Sequence, residues 1–249
     1  ATIIAQYISG LGITVFALRC CPQVIPKKSE LKWNGGILKE IVNLSSMTCI
    51  QQSVMNFGIL MVQGLVNSFG TVVMAAFAAA VKIDAFAYMP LQDFGNAFST
   101  FIAQNYGANR KDRIRKGIRS AIMTSVFFAV IVSVVVVIFA RPLLLIFVHV
   151  QETQILEVGI SYLRVVGAFY CGIGVLFLLY GLYRAINRPS VSLVLTIISL
   201  GTRVILAYVL SAIPAIGVTG IWWAVPIGWV LADTVGIVWY WLKYKNRMC

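Results

Sequence analysis

Six ionisable residues, Lys82, Asp84, Asp93, Arg164, Arg203 and Asp233, stand inside stretches of sequence that are otherwise strongly apolar. Three are basic and three acidic, the balance that mutual neutralisation in a low-dielectric setting requires. Groups of this kind either carry ions and protons along a path or pair with one another to hold helices together. Arg203 and Asp233 fall at similar depths of the last two apolar segments, where they could pair, whereas Arg164 stands nearer a segment end and can snorkel. Uncharged polar residues add a pattern. At 100° per residue, Gln52, Asn56, Gln63 and Asn67 fall within about 60° of one another, and Asp84, Tyr88, Gln92, Gly95 and Ser99 within about 80°. Lys82 and Asp93 lie on the other side of the helix that carries Asp84. A polar face running the length of a helix lines a watery cavity or hydrogen-bonds to neighbouring helices, and the spacing alone leaves both open.

Other chemistries have little support in the residues. The five cysteines, Cys20, Cys21, Cys49, Cys171 and Cys249, are odd in number and form no C-x-x-C pair, so they suggest neither a disulfide framework nor a metal site. The single His149 stands alone. No phosphate-cradling Gly-Lys loop, no H-E-x-x-H and no nucleophile-base pair is present, so an enzyme is not expected. Asn43-Leu44-Ser45 matches a glycosylation acceptor, a motif short enough to recur by chance.

The elements that must position these residues follow from composition. The chain is 60% hydrophobic and 11% charged, with mean hydropathy +0.89, which excludes a soluble domain of 249 residues. Apolar segments fall at about 1–18, 47–69, 72–104, 118–140, 159–183, 190–212 and 218–242. They exceed the roughly 10 residues of a barrel strand and do not alternate, so each predicts a helix about 20 residues or more in length. The third contains Pro90 and is too long for one upright crossing, so a kink or an extension beyond the membrane is expected. The expected fold class is an all-α membrane protein, a polytopic helical bundle of six full transmembrane helices plus the end of a preceding one. Lacking an initiating Met and a charged start, residues 1–18 read as a helix entered partway rather than a signal peptide. Residues 19–46 read as a connector with an amphipathic tail over Ile37–Leu44, and 47–249 as one six-helix lobe.

Basic residues set the expected orientation. Sixteen of the twenty fall in alternate loops: the connector, the stretch QNYGANRKDRIRKGIRS over Gln104–Ser120, the turn with Arg184 and Arg188, and the C-terminal tail. Arg141 alone lies in the opposite set. The positive-inside bias then places those loops and the C-terminus in the cytoplasm, with the protein in the inner (cytoplasmic) membrane. The Gln104–Ser120 stretch could otherwise suggest a grip on nucleic acid phosphates, but its apolar flanks favour a cytoplasmic loop. Trp222 and Trp223 near one end of the last segment, and Trp239, Tyr240 and Trp241 near the other, suit aromatic belts at the two interfaces.

One stretch carries a family likeness. AAAVKIDAFAYMPLQDFGNAFSTFIAQNYGANRKDRIRKGIR, Ala78 to Arg119, resembles the eighth transmembrane helix and following loop of the multidrug and toxic compound extrusion (MATE) transporters. The family pattern is a basic residue and Ile, a Pro, G-x-A-x-S, then G-Q-N-x-G-A and basic residues. Here these are Lys82-Ile83, Pro90, Gly95-Asn96-Ala97-Phe98-Ser99 and Ala103-Gln104-Asn105-Tyr106-Gly107-Ala108. The segments YLRVVGAFYCGIGVLFLLYGLYRA and GVTGIWWAVPIGWVLADTVGIVWY resemble the tenth and twelfth helices. The resemblance implies the C-terminal lobe of a two-lobe transporter whose N-terminal lobe is not in this sequence. It implies export of small organic, often cationic compounds by alternating access, driven by a sodium ion or proton as coupling ion, with no tightly bound cofactor. Its partners would be the substrate, membrane lipids and the missing lobe, and not nucleic acid. The sequence also departs from the family: no carboxylate stands between Thr48 and Asn67 or between Ser161 and Tyr183, and Arg184-Ala185-Ile186-Asn187 replaces R-G-x-G. Two other functions share this topology: a lipid-linked saccharide flippase of the same superfamily, and a membrane-anchored nucleic-acid-binding protein acting through residues 105–119.

Overall fold

The backbone of an apolar chain in lipid has only its own groups to bond with, so helices are the outcome even where propensity in water argues against them. A computed structural model describes residues 2–20 and 33–243; Cys21, Lys27, Lys28, Lys32, Lys245, Arg247 and Cys249 lie outside the described residues. Its elements are α1 (Thr2–Cys20), α2 (Gly35–Asn67), α3 (Thr71–Gly107), α4 (Lys111–Ile138), α5 (Ala140–Leu144), α6 (Thr153–Gly167), α7 (Tyr170–Ala185), α8 (Pro189–Ser211) and α9 (Val218–Lys243). The protein is an all-α membrane bundle, with six described helices long and apolar enough to span, or seven when α6 and α7 count as one bent span. The helix α4 shows the lipid effect most plainly. Its C-terminal run SVVVVI is β-branched at all but one residue's exception, Ser133, yet it stays helical while Phe127 and Ile138 turn outward, 70% and 66% exposed.

The chain forms two compact units, residues 1–43 and 44–249. In the first, α1 is a single apolar helix ending on Arg19 and Cys20. In the second, turns of a few residues join α2 to α3, α3 to α4, α7 to α8 and α8 to α9. Each turn contains one residue in the left-handed region: Gly70, Asn109, Asn187 and Gly217. Asparagine is the side chain other than glycine that best tolerates this conformation, so these turns are written into the sequence. Two seams bring helix backbones into direct contact. A Cβ at Gly181 would lie 2.6 Å from the Gly95 carbonyl oxygen, and one at Gly228 would lie 2.4 Å from that of Ser199. These fix α7 against α3 and α9 against α8 by the close approach that small residues allow.

Several expectations change on sight of the fold. The amphipathic tail at Ile37–Leu44 is no separate piece but the first turns of α2. Most of the basic stretch is helix: Gln104–Gly107 closes α3, the turn is only Ala108–Arg110, and Lys111–Ser120 begins α4. Lys and Arg are good helix formers, so charge density there marked the start of a helix, not an open loop. The apolar segment at 159–183 is broken after Gly167, and α6 and α7 bend by 51°. The length of α3 agrees with the expected extension: the helix continues through Pro90 for 37 residues, about 55 Å, which is longer than one bilayer core. Trp222 is not an interfacial residue. It is 1% exposed and stacks on Phe77 at 5.8 Å, with the edge of Tyr162 at 4.9 Å.

Candidate functional site

The Gly95–Gly181 seam holds α3 and α7 together on the side toward Ser99, and at Asp84, further back along α3, they enclose a cavity with α2, α6, α8 and α9. It measures about 370 Å³, within the range of small-molecule sites. Its charged lining residues are Asp84 and Arg203. The break between α6 and α7 positions two tyrosines on Asp84. Tyr162, in the last turns of α6, donates its hydroxyl to Asp84 Oδ2 at 2.5 Å, and Tyr170, the first residue of α7, donates to Oδ1. One carboxylate on α3 is thereby clasped by hydroxyls from either side of a bend, so its hydrogen bonds report on the angle of that bend.

Around this clasp the walls are mixed. Tyr88, one turn along α3, sets its ring edge-on to Phe177 at 5.0 Å and its hydroxyl 3.7 Å from Met55 Sδ. Gln52, Asn56 and Gln63 line the α2 side, and Gln92 the far end of the α3 side. Ser199 and Arg203 come from α8, and Val225 and Trp229 from α9. Outside the lining, Gln51 ties α2 to α8 by donating a hydrogen bond from Nε2 to Thr196 Oγ1 at 3.0 Å. The α2 stripe thus divides: Gln52, Asn56 and Gln63 meet the cavity, while its neighbour Gln51 provides the interhelical bond.

The other sequence-selected residues are placed elsewhere. Asn67 ends α2 exposed and outside the cavity lining. Lys82 is exposed, with its ammonium 5.4 Å from the centre of the Phe147 ring, and Asp93 is exposed. Gly95 belongs to the α3–α7 seam, where Ser99 also packs. Arg203 and Asp233 are not hydrogen-bonded to each other; Arg203 faces the cavity, whereas Asp233 is turned toward α7 beside Gly172, with Oδ1 buried and without a hydrogen-bond partner. Sequence reasoning missed Tyr162, Tyr170, Phe177 and Trp229. The available signal was the pair of hydroxyl-bearing rings flanking Gly167 in an otherwise apolar run. Among the described residues no group of three or more His, Cys, Asp or Glu is arranged to hold a metal ion.

Comparison with known proteins gives a consistent picture. The family model described as MatE matches residues 45–209. The "Probable multidrug resistance protein NorM" of Thermotoga maritima is 24% identical over 230 residues, covering 89% of this chain and 47% of that protein. The "FAD transporter" of Shewanella oneidensis is 28% identical over 177 residues, 70% of this chain and 37% of its own length. Among solved structures, an outward-facing multidrug resistance MATE family transporter of the MOP superfamily superposes with a TM-score of 0.87 at 20% identity, over 97% of this chain and 54% of that one. A MOP superfamily transporter from Pyrococcus furiosus, described as having a binding pocket of reverse polarity, also gives 0.87, at 21% identity over 97% and 54%. The chain spans about half the length of the curated relatives it matches.

Proposed function

Because this chain belongs to the MatE family of membrane transporters, we propose that it forms the C-terminal lobe of a cation-coupled antiporter that exports small organic compounds by alternating access. The observation that carries this reading is the Asp84 clasp. An ionised carboxylate accepting two hydroxyl hydrogen bonds holds α3 to both arms of the bent α6–α7 pair. A proton or sodium ion arriving at Asp84 compensates its charge and weakens those charge-assisted bonds, which frees the bend to change angle. Organic cations compete for the same carboxylate, so substrate and coupling ion exclude one another there. Arg110, Lys111, Arg113, Arg115, Lys116 and Arg119 support a cytoplasmic position for the α3–α4 turn and, by alternation, for the C-terminus of an inner-membrane protein. The family match gives no support to the nucleic-acid-anchor reading, and the single Arg203 on the cavity wall is not the broad basic surface a lipid-linked saccharide calls for.

The test is gradient-driven export by the complete transporter in proteoliposomes, under a sodium gradient or a proton gradient, with Asp84→Asn alongside the parent. The expected result is that Asp84→Asn abolishes export under whichever gradient drives the parent. Export at the parent rate by Asp84→Asn would remove Asp84 from the coupling site.

A further inference from the structure

Arg203 lines the cavity from α8, and its Nε is buried without a hydrogen-bond partner. A guanidinium in an apolar bundle is costly unless an anion or several acceptors meet it. The acidic side chain close enough to act on it is Asp84, but the hydrogen bonds Asp84 accepts come from Tyr162 and Tyr170 and none comes from Arg203. No second carboxylate is among the lining residues. Elsewhere in the same lining, Gln52 and Gln63 carry amide donors of their own, which suit an anion as well, and Phe177 and Trp229 contribute aromatic rings. We propose that Arg203 is the anchor for an anionic group, a carboxylate or a phosphate, borne on an aromatic substrate. The planar fork of Arg matches either group bidentately. With Asp84 on the α3 side, the cavity is bipolar. A compound bearing both charges can satisfy Arg203 with its acid and contest Asp84 with its base, so the competition with the coupling ion is kept.

This inference rests on the reading of the cavity as the transport site, and the experiment separates the two. Equilibrium binding is measured on the full 249-residue chain in lipid nanodiscs with four probes of one shape: 2-naphthoate, 2-naphthyl phosphate, the neutral 2-naphthamide and the cationic 2-naphthylmethylammonium. The expected result is saturable binding of both anions that falls by roughly ten-fold or more in Arg203→Gln, the loss typical of a charge-assisted pair, with naphthamide binding unchanged. A fall for only one of the anions decides between carboxylate and phosphate. Arg164→Gln, an exposed charge outside the cavity, should leave all affinities as they are. Should Arg203→Gln fail to fold, Arg203→Lys keeps the charge and stem and must still prefer naphthoate over naphthamide. Absence of saturable anion binding to the parent chain, equal binding of naphthoate and naphthamide, or anion affinity unaltered by Arg203→Gln would overturn the assignment. Asp84-dependent export with anion binding indifferent to Arg203 sinks this inference alone. Arg203-dependent binding with export that ignores Asp84 sinks the coupling reading alone.

Discussion

At Asp84 two hydroxyls share one carboxylate, and their separate removal is informative. Tyr162 is 3% exposed and also sets its ring edge against Phe77 and Trp222, whereas Tyr170 has no ring partner among the described contacts. Tyr170→Phe removes one hydrogen bond to a charged group while keeping the ring. It should lower stability by about 1.5–3 kcal/mol in a denaturant titration of the reconstituted protein and slow gradient-driven export. Tyr162→Ala should cost more, about 3–5 kcal/mol, since it also leaves a hole beneath Trp222. Equal losses from the two would argue against a packing role for Tyr162. Half of this site was legible beforehand. Asp84, Tyr88 and Gln92 recur at helical spacing on one face, and a carboxylate in an apolar run is conspicuous in any reading. The tyrosines were not, because a ring in an apolar stretch reads as core and nothing local says which carboxylate its hydroxyl will meet. Likewise Arg203 and Asp233 matched in sign and depth but face different neighbours, a matter of helix rotation that depth does not encode.

At the level of elements, the position of the cavity depends on how closely α3 and α7 approach. Gly181→Ala would drive a methyl to 2.6 Å from the Gly95 carbonyl, and the backbone must part to admit it. A loss of about 1–3 kcal/mol is expected, together with weakened probe binding in the cavity. Gly64→Ala, on α2 where nothing lies within 4 Å, should instead stabilise by up to about 1 kcal/mol through helix propensity. Thermal unfolding of the two variants side by side checks the opposite signs. Hydropathy located the spans because length and apolar content are all that a bilayer requires. It did not find the α6–α7 break, since no proline marks it and the run stays apolar on both sides of Gly167. It also placed the start of α4 too late. A basic helix end looks like a loop to a measure that counts only apolar residues.

For the whole molecule, the solved transporters it superposes on are nearly twice as long, and on the proposed two-lobe reading the cavity seen here would meet a second wall in the partner lobe. The chain by itself should insert into membranes with the α3–α4 turn on the cytoplasmic face yet perform no uphill export. Vesicles containing only residues 1–249 that concentrate a substrate against its gradient would contradict this. Family membership was legible from the motif run at Ala78–Arg119, which is specific in its residues; substrate polarity was not, because it depends on which side chains face one space. The central claim is that this space is a watered transport path, and thiol labelling tests it most directly. Gln63 lines the cavity and Met61, two residues before it, does not. In a complete transporter with its native cysteines replaced, Gln63→Cys should react with a membrane-impermeant thiol reagent and Met61→Cys far more slowly, since thiolate forms only where water reaches. Transported substrate should protect position 63 and leave position 61 unchanged. Equal labelling at the two positions, or none at 63 in both inward-open and outward-open preparations, would contradict the account and return the α2 stripe to a role in helix packing.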